Sequence, residues 1–111
     1  MTFSEENYLK SIYHLTASLD SEVSTNAIAE MMETKASSVT DMLKKLSDKE
    51  LVDYQKYQGV FLTDKGRLNA KMIVRNHRLW EVFLVEKLGF AWDEVHEVAE
   101  ELEHIRSEKL I

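Results

Sequence analysis

The chain has 111 residues, 44% of them hydrophobic and 31% charged, with a formal net charge of −6 and no cysteine. This length and composition suit one compact domain, or one domain with part of another, and exclude a disordered chain. The absence of cysteine excludes disulfides, thiolate metal sites and cysteine nucleophiles, so any metal would be held by nitrogen and oxygen atoms.

The N-terminal third predicts two helices separated by a polar break. Ser4 can cap a first helix, whose apolar stripe starts at Tyr8 and continues at helical spacing to about Ser18. The segment SLDSEVS interrupts this pattern. Ser24 and Thr25 are then candidate caps for a short second helix, NAIAEMMET.

A third helix and a hairpin are predicted next. After the turn ETKAS, Ser37 is expected to open the helix SSVTDMLKKLSDKE, in which apolar side chains form one face and hydroxyl and lysine groups the other. Two short β-rich runs, LVDYQKY and VFLT, follow and meet around Gln58 and Gly59. This arrangement is typical of a β-hairpin.

The C-terminal half predicts two more helices. Thr63 can cap a long helix, DKGRLNAKMIVRNHRLWEVFLVEKL, that ends at Gly89. A last helix is expected from about Asp93 to the end of the chain, because the sequence carries no stop signal there. The chain ends on two apolar residues, Leu110 and Ile111. We therefore expect either a fragment of a longer protein or an unusually short member of its kind.

Helix, short helix, turn, helix and hairpin is the element order of a winged helix-turn-helix. In that fold the second helix of the pair enters the DNA major groove, and the hairpin contacts the backbone. Short hydroxyl groups approach phosphates closely, and ammonium groups neutralise them. Asp41 can accept a hydrogen bond from a cytosine amino group. The residues predicted to contact DNA are Thr25, Asn26, Lys35, Ser37, Ser38, Thr40, Asp41, Lys44 and Lys45.

Two alternatives remain open for this part of the chain. Its polar side chains can simply be solvated, and winged helices also serve as protein-interaction modules, which the net charge of −6 favours. The charge is unevenly distributed, however. Residues 57–87 carry six basic and three acidic side chains, whereas residues 88–111 carry two basic and seven acidic ones. This contrast indicates two roles in one chain.

Histidine and glutamate alternate at helical spacing in the segment HEVAEELEH. Each helical residue advances by about 100°, so four of these side chains would share one face. The preceding helix has a second pair at i and i+4, and the two faces converge if the helices pack antiparallel. Nitrogen and carboxylate ligands suit Mn²⁺, Fe²⁺, Co²⁺ or Zn²⁺, although such side chains are also ordinary surface neighbours. The candidate ligands are His77, Glu81, His96, Glu100, Glu103 and His104.

With these residues in this order, the chain resembles the diphtheria-toxin-repressor family of metal-dependent transcriptional regulators, which includes manganese-sensing repressors. The similar segments are ENYLKSIY, IAEMM, SSVTDMLKKL, GVFLTDKG, RNHRLWEVFL and VHEVAEELEH. The resemblance implies a mainly α protein. A winged helix-turn-helix DNA-binding domain would occupy residues 1–64, and a helical metal-binding and dimerisation domain, truncated at its C-terminus, residues 65–111. It also implies a homodimer that binds a palindromic operator when loaded with Mn²⁺ or Fe²⁺ and represses metal-uptake genes.

The resemblance further implies two metal positions. The primary position would use Asn7, Glu100, Glu103 and His104, and the ancillary position His77, Glu81 and His96. Glu100 favours manganese, since iron-responsive members tend to have cysteine there. Manganese-responsive members usually bring Asp and Glu from the first helix, where this chain has Asn7 and Lys10. The sensed metal therefore stays open between manganese and iron, with Zn²⁺ or Co²⁺ as surrogates.

A rival interpretation is a winged-helix regulator that senses a non-metal ligand, with the histidines and glutamates merely solvated. An enzyme is disfavoured, because Glu101-x-x-His104 matches only half of a di-iron motif and HEVAE is not the HExxH of zinc peptidases. No run of about eighteen apolar residues and no signal-peptide pattern are present. We therefore expect a cytoplasmic protein with no membrane segment and no small organic substrate.

Overall fold

The computed structural model describes residues 1–19, 22–55, 59–107 and 109–110. The elements are α1 (Phe3–Leu19), α2 (Thr25–Met32), α3 (Ala36–Asp48), β1 (Val52–Gln55), β2 (Gly59–Leu62), α4 (Asp64–Leu88) and α5 (Trp92–Leu102). They form two compact units, Met1–Lys71 and Met72–Ile111. The fold is mainly α, with a winged helix-turn-helix followed by a helical segment, as the sequence predicts.

Helix α1 begins with a capping box at Thr2, and the prediction that Ser4 caps it is wrong. The Thr2 hydroxyl accepts a hydrogen bond from the Glu5 amide at 3.1 Å, and the Glu5 carboxylate accepts one from the Thr2 amide at 2.9 Å. This reciprocal pair needs a Thr-x-x-Glu spacing, which residues 2–5 supply. Ser4 instead lies inside the first turn.

The same carboxylate ties α1 to the end of α3. Glu5 is only 3% exposed, and its two oxygens lie 2.9 and 2.7 Å from Nζ of Lys49, the C-cap residue of α3. The Lys49 hydrogen bond, with help from Thr2, lowers the pKa of Glu5 from 4.5 to about 2. The carboxylate is therefore charged at neutral pH in the folded protein.

The start of α2 follows the sequence-based prediction. Ser24 is the N-cap residue, and its hydroxyl accepts a hydrogen bond from the Ala27 amide at 3.0 Å. The helix ends at Glu33, which adopts a left-handed backbone conformation (φ 53°, ψ 48°). This conformation reverses the chain toward α3 and is rare for a residue with a side chain.

Helix α3 begins one residue earlier than expected, at Ala36. Lys35 is the N-cap residue, with an extended backbone and no side-chain cap, and the helix runs from Ala36. The expectation that Ser37 opens it is therefore wrong, since Ser37 already lies in the first turn. Val39, the first inward-facing residue of α3, is fully buried, so apolar packing stands in for the missing side-chain cap.

The hairpin pairs β1 with β2 in antiparallel register, from Val52 opposite Leu62 to Gln55 opposite Gly59. Gly59 has φ +97°, a conformation that L side chains rarely adopt. Gln58, the other residue predicted at the turn, lies outside the described residues. The backbone of Val23 joins the edge of β2 through two hydrogen bonds with Val60, at 3.1 and 2.9 Å.

One apolar cluster holds the three helices and the hairpin of the first unit together. Met42, on the apolar side of α3, is partly buried and packs against this cluster. The fully buried members come from α1, α2, α3, β2 and the segment before α2, so each element contributes one face to a single core. They include Leu9, Ile12, Val23, Ile28, Val39, Leu43, Leu46 and Val60.

The start of α4 is held by a side-chain cap and a close backbone approach. As predicted, Thr63 caps the helix: its hydroxyl accepts from the Gly66 amide at 3.0 Å and donates to the Glu50 carbonyl at 2.7 Å. A Cβ atom built on Gly66 would lie 1.8 Å from the Leu51 carbonyl oxygen. Only glycine fits here, because the helix start rests directly on the backbone before β1.

The two C-terminal helices differ in how well their ends were predicted. Helix α4 ends before Gly89 (φ +73°), as expected. Helix α5 ends at Leu102, so the expectation of a helix running to the end of the chain is wrong. The Ile105 amide bonds the Leu102 carbonyl at 3.0 Å in a tight turn, and Glu103 is buried there. Apolar periodicity does not report such a turn, which depends on tertiary contacts. None of the helices described is long and apolar enough to cross a membrane.

Candidate metal centre and nucleic-acid interface

Apolar packing places α5 against the second half of α4. Leu84, Val95 and Ala99 form a buried cluster between them. Farther from this cluster, His77 of α4 contacts Glu103 at the end of α5. Because earlier residues of α4 meet later residues of α5, the two helices are antiparallel, the condition under which the sequence predicts that their His and Glu faces converge.

Three polar side chains meet where these faces converge. Nε2 of His77 lies 3.2 Å from Nδ1 of His96 and 3.5 Å from a carboxylate oxygen of Glu81. The triangle closes with 4.0 Å between Nδ1 of His96 and the other oxygen of Glu81. The structure thus brings together the three residues assigned to the ancillary position, and we call them the His77–Glu81–His96 triad.

The dimensions of the triad fit one divalent ion. Nitrogen and oxygen ligands bind such ions at about 2.0–2.2 Å, which places neighbouring ligand atoms about 3.0–3.5 Å apart. Two edges of the triad, at 3.2 and 3.5 Å, lie in this range, and the third, at 4.0 Å, needs only a small side-chain movement. Two imidazoles and one carboxylate suit Mn²⁺, Fe²⁺, Co²⁺ and Zn²⁺.

The buried carboxylate of Glu103 supports the triad from behind. Its side chain has no exposed surface, and one oxygen lies 2.7 Å from Nδ1 of His77. A histidine that binds a metal through one ring nitrogen commonly donates its other N–H to a carboxylate, which fixes the ring orientation. Sequence reasoning missed this contact, because spacing within one helix does not show which side chains meet between two helices.

The four residues assigned to the primary position are not all shown in contact with one another. Nε2 of His104 lies 3.4 Å from the second oxygen of Glu103. An oxygen of Glu100 lies 3.8 Å from Nε2 of His96. Asn7 belongs to α1, in the other compact unit. The assignment of these four residues to one metal position stays a prediction.

The residues predicted to contact DNA lie largely on the surface of α2 and α3. Seven of the nine are exposed, and Thr25 and Thr40 are partly buried. The Thr40 hydroxyl donates to the Ala36 carbonyl at 3.1 Å, so in this conformation it can only accept from a base. The exposed residues are Asn26, Lys35, Ser37, Ser38, Asp41, Lys44 and Lys45.

A groove of about 350 Å³ between α3 and β1 extends this surface. It is lined by Thr40, Lys44, Ser47, Asp48 and Tyr54. The last three were not predicted. The helical spacing of Thr40, Lys44, Ser47 and Asp48 contained the signal, since residues three and four apart share a helix face. Tyr54 reaches the groove only through the fold.

Two family models match the chain in tandem. "Iron dependent repressor, N-terminal DNA binding domain" matches residues 1–60, and "Iron dependent repressor, metal binding and dimerisation domain" matches residues 63–111. Together they span nearly the whole chain, in the order in which the winged helix-turn-helix and the α4–α5 pair occur.

Similar proteins are transcriptional regulators. An uncharacterised HTH-type transcriptional regulator of Methanocaldococcus jannaschii is 37% identical over 111 residues, covering 100% of this chain and 89% of that protein. The HTH-type transcriptional regulator MntR of Oceanobacillus iheyensis is 38% identical over 103 residues, covering 93% of this chain and 69% of that protein.

Solved structures of manganese regulators share the fold. The manganese regulator SloR superposes with a TM-score of 0.78 at 44% identity, over 97% of this chain and 50% of that one. ScaR with bound Zn²⁺ gives 0.81 at 40% identity, over 96% and 49%. A hypothetical protein from Sulfolobus solfataricus gives 0.78 at 25% identity, over 99% and 83%. The chain thus spans about half the length of these two manganese regulators.

Proposed function

The chain belongs to the iron-dependent (diphtheria-toxin) repressor family, and on that basis we propose that it is a transcriptional repressor that binds a palindromic operator as a homodimer when loaded with Mn²⁺ or Fe²⁺. Its relatives are transcriptional regulators, a non-enzymatic class. Its target genes would be those for metal uptake, and its compartment the cytoplasm, where the operator DNA lies.

The His77–Glu81–His96 triad is the observation that carries this proposal. It holds two imidazoles and one carboxylate with one ligand atom from each within 4.8 Å of the others, and a buried carboxylate orients one of the imidazoles. A carboxylate behind one ring nitrogen is the usual support of a histidine that binds a metal through the other. SloR is named as a manganese regulator, and another similar structure is of a manganese-dependent transcriptional repressor with manganese, which favours Mn²⁺. Zn²⁺ bound to ScaR supports its use as a surrogate.

We retain Asn7, Glu100, Glu103 and His104 as the proposed primary ligands on the strength of the resemblance. Residues 1–64 would form the DNA-binding domain and residues 65–111 the metal-binding and dimerisation domain. Metal would act by population shift among conformations of the chain. Its effect on operator affinity is then limited by the difference between its affinities for the DNA-competent and other conformations.

Exposed apolar side chains on α4 support the proposed homodimer. Met72, Leu79, Val82 and Phe83 are 53%, 42%, 51% and 43% exposed. They recur at helical spacing and form one apolar ridge along the helix. Exposed apolar surface gathered on one face of a helix is typical of an interaction surface. We assign it to contact between two copies of this chain, and call it the α4 ridge.

Operator binding under controlled metal conditions tests the proposal. Duplexes selected from a random-sequence pool by the manganese-loaded full-length protein would be titrated anaerobically in Mn²⁺, in Fe²⁺ and in chelator, with fluorescence anisotropy as the readout. We expect tight binding only with metal, and loss of this dependence in Glu103→Ala and His104→Ala. His14→Ala, away from the proposed ligands, should behave as the wild type.

Equal operator affinity in chelator and in manganese would refute metal control. A regulator that senses a non-metal ligand would show that result, together with a melting temperature that does not rise with Mn²⁺, Fe²⁺ or Zn²⁺. A protein-interaction module would show no salt-dependent DNA binding at all.

A further inference from the structure

Both imidazoles of the His77–Glu81–His96 triad have a second carboxylate neighbour. His77 turns Nε2 toward the triad and Nδ1 toward Glu103, whereas His96 turns Nδ1 toward the triad and Nε2 toward Glu100. Glu100 and Glu103 are both proposed ligands of the primary position. Each of these two rings therefore lies between the other triad residues and a carboxylate proposed for the primary position.

The two contacts differ greatly in strength. His77 and Glu103 are separated by 2.7 Å, and their side chains are 12% and 0% exposed. His96 and Glu100 are separated by 3.8 Å, and their side chains are 66% and 48% exposed. A buried, short, charge-assisted hydrogen bond holds its partners firmly, whereas a long, solvated ion pair contributes little. Only the contact of Glu103 has the geometry to position a ligand.

The chemistry of this contact selects one tautomer of His77. An ionised carboxylate only accepts hydrogen bonds, so Nδ1 of His77 must be the donor. In neutral imidazole the other nitrogen, Nε2, then carries the lone pair. Nε2 is the atom that faces Glu81 and His96. The Glu103 carboxylate thus presents His77 to the triad with its ligating nitrogen free of a proton.

Glu103 also contacts a residue of the primary position with its other oxygen. The Oε1 atom lies 3.4 Å from Nε2 of His104, while Oε2 binds His77. We propose that Glu103 is a positioning residue for the triad in addition to its proposed role as a primary ligand, so that one carboxylate couples the two metal positions. Coupling of this kind is reciprocal. If an ion at the primary position changes the affinity of the triad for its ion, then an ion at the triad changes the affinity of the primary position by the same factor.

This inference rests on the proposed metal binding, and its test is made in a protein whose primary position has lost one of its proposed ligands. In the full-length protein, His104→Ala removes the imidazole of the primary position and leaves the His77–Glu103 contact in place. Mn²⁺ is titrated calorimetrically into His104→Ala alone, into His104→Ala with Glu103→Gln, and into His104→Ala with Glu101→Gln as the matched control. Glu101 is an exposed residue of α5.

We expect Glu103→Gln to weaken Mn²⁺ binding at the triad by about 10- to 100-fold, the range for loss of a carboxylate behind a metal-binding histidine. Glu101→Gln should leave it within about twofold. Equal affinity in all three proteins would overturn the inference. Absence of Mn²⁺ binding in both the wild type and His104→Ala would instead overturn the proposed function on which it rests.

A second measurement needs no metal and separates positioning from general stability. The ¹⁵N shifts of the His77 ring in the metal-free protein should show the Nδ1–H tautomer in the wild type. They should also show it in Glu100→Gln, which removes a primary ligand without touching His77. In Glu103→Gln the tautomers should mix, because an amide can both accept and donate. An unchanged tautomer in Glu103→Gln would contradict the role assigned to the carboxylate.

Discussion

Glu5 is a buried carboxylate whose charge is held by one ammonium group and one backbone amide. The bonds to Lys49 and Thr2 outweigh the burial that would otherwise raise its pKa, and they lower it to about 2. A group whose pKa is lower in the folded than in the unfolded protein stabilises the fold while it is ionised in both states. Its contribution is therefore fully present above about pH 4.5 and is lost as the pH falls toward 2.

We predict that Glu5→Gln removes part of the acid sensitivity of the fold. At pH 7 the substitution should lower the free energy of unfolding by about 1–2 kcal/mol, a value reduced for the partial exposure of Lys49. Urea denaturation between pH 7 and pH 3 measures this difference, which should shrink as the pH falls. The control is Glu30→Gln, at an exposed position in α2. A constant difference at all pH values would contradict the assignment.

Two glycines at the ends of α4, Gly66 in its first turn and Gly89 just after its last residue, show how a helix depends on its ends. Gly66 faces the Leu51 carbonyl so closely that a Cβ would lie 1.8 Å from its oxygen, whereas a Cβ on Gly89 would meet nothing within 4 Å. Gly89 is needed only for its φ of +73°. One glycine serves packing, and the other serves the backbone conformation that ends the helix.

We expect Gly66→Ala to be far more damaging than Gly89→Ala. The clash at Gly66 is with backbone, which cannot move aside, so the loss should exceed about 2 kcal/mol and reduce the yield of soluble protein. At Gly89 only the left-handed conformation is penalised, by about 1 kcal/mol. Thermal unfolding of the two variants compares them directly. Similar melting temperatures would show that the start of α4 can shift away from Leu51.

The turn between α2 and α3 offers a stabilising substitution. Glu33 is exposed and holds a left-handed conformation at φ 53°, which costs a residue with a Cβ about 1 kcal/mol. Glu33→Gly relieves this strain but makes the unfolded chain more flexible. We predict a net gain of about 0.5 kcal/mol in the free energy of unfolding, measured by urea denaturation. Glu30→Gly, inside α2, should instead destabilise by about 1 kcal/mol.

The ends of helices were predicted correctly where a single capping residue marks them. They were predicted wrongly where two capping residues lie close together or where no capping residue is present. Ser24, Thr63 and Gly89 end or begin helices as expected, because a cap acts within a few residues. The predicted cap at Ser4 is wrong, since of Thr2 and Ser4 only Thr2 has a glutamate three residues later. The capping-box spacing would have identified it. The end of α5 at Leu102 had no local signal, since apolar spacing continues beyond it.

At the scale of the whole molecule, the α4 ridge is the proposed contact between the two copies of the chain that would bind DNA together. We predict that Phe83→Asp shifts the protein from dimer to monomer, because a charge replaces an apolar side chain within the proposed contact. Sedimentation equilibrium in the presence of Mn²⁺ measures the change. Arg67→Asp, at an exposed residue near the start of α4 and outside the ridge, provides the control. A Phe83→Asp protein that remains dimeric would place the contact elsewhere.

The candidate metal site could be predicted only in part, because some of its contacts join residues that the fold brings together from distant parts of the sequence. Spacing along α4 and α5 identified His77, Glu81 and His96 as residues of two faces, and the antiparallel packing of the helices brings them together. Spacing does not reveal that Glu103 faces His77 or that Tyr54 lines the groove beside α3. Both contacts join residues far apart in sequence, and such contacts are set by the fold rather than by local pattern.

The triad is unevenly covered, and this has a consequence for the rate at which a bound ion exchanges. His77 and Glu81 are 12% and 23% exposed, whereas His96 is 66% exposed. Water or a small chelator would reach an ion held by these side chains from the exposed side, where His96 lies. Exchange of the ion would therefore not need the helices to separate. Occupancy of the triad would thus follow the free metal concentration quickly, as a sensor requires, and would not store metal.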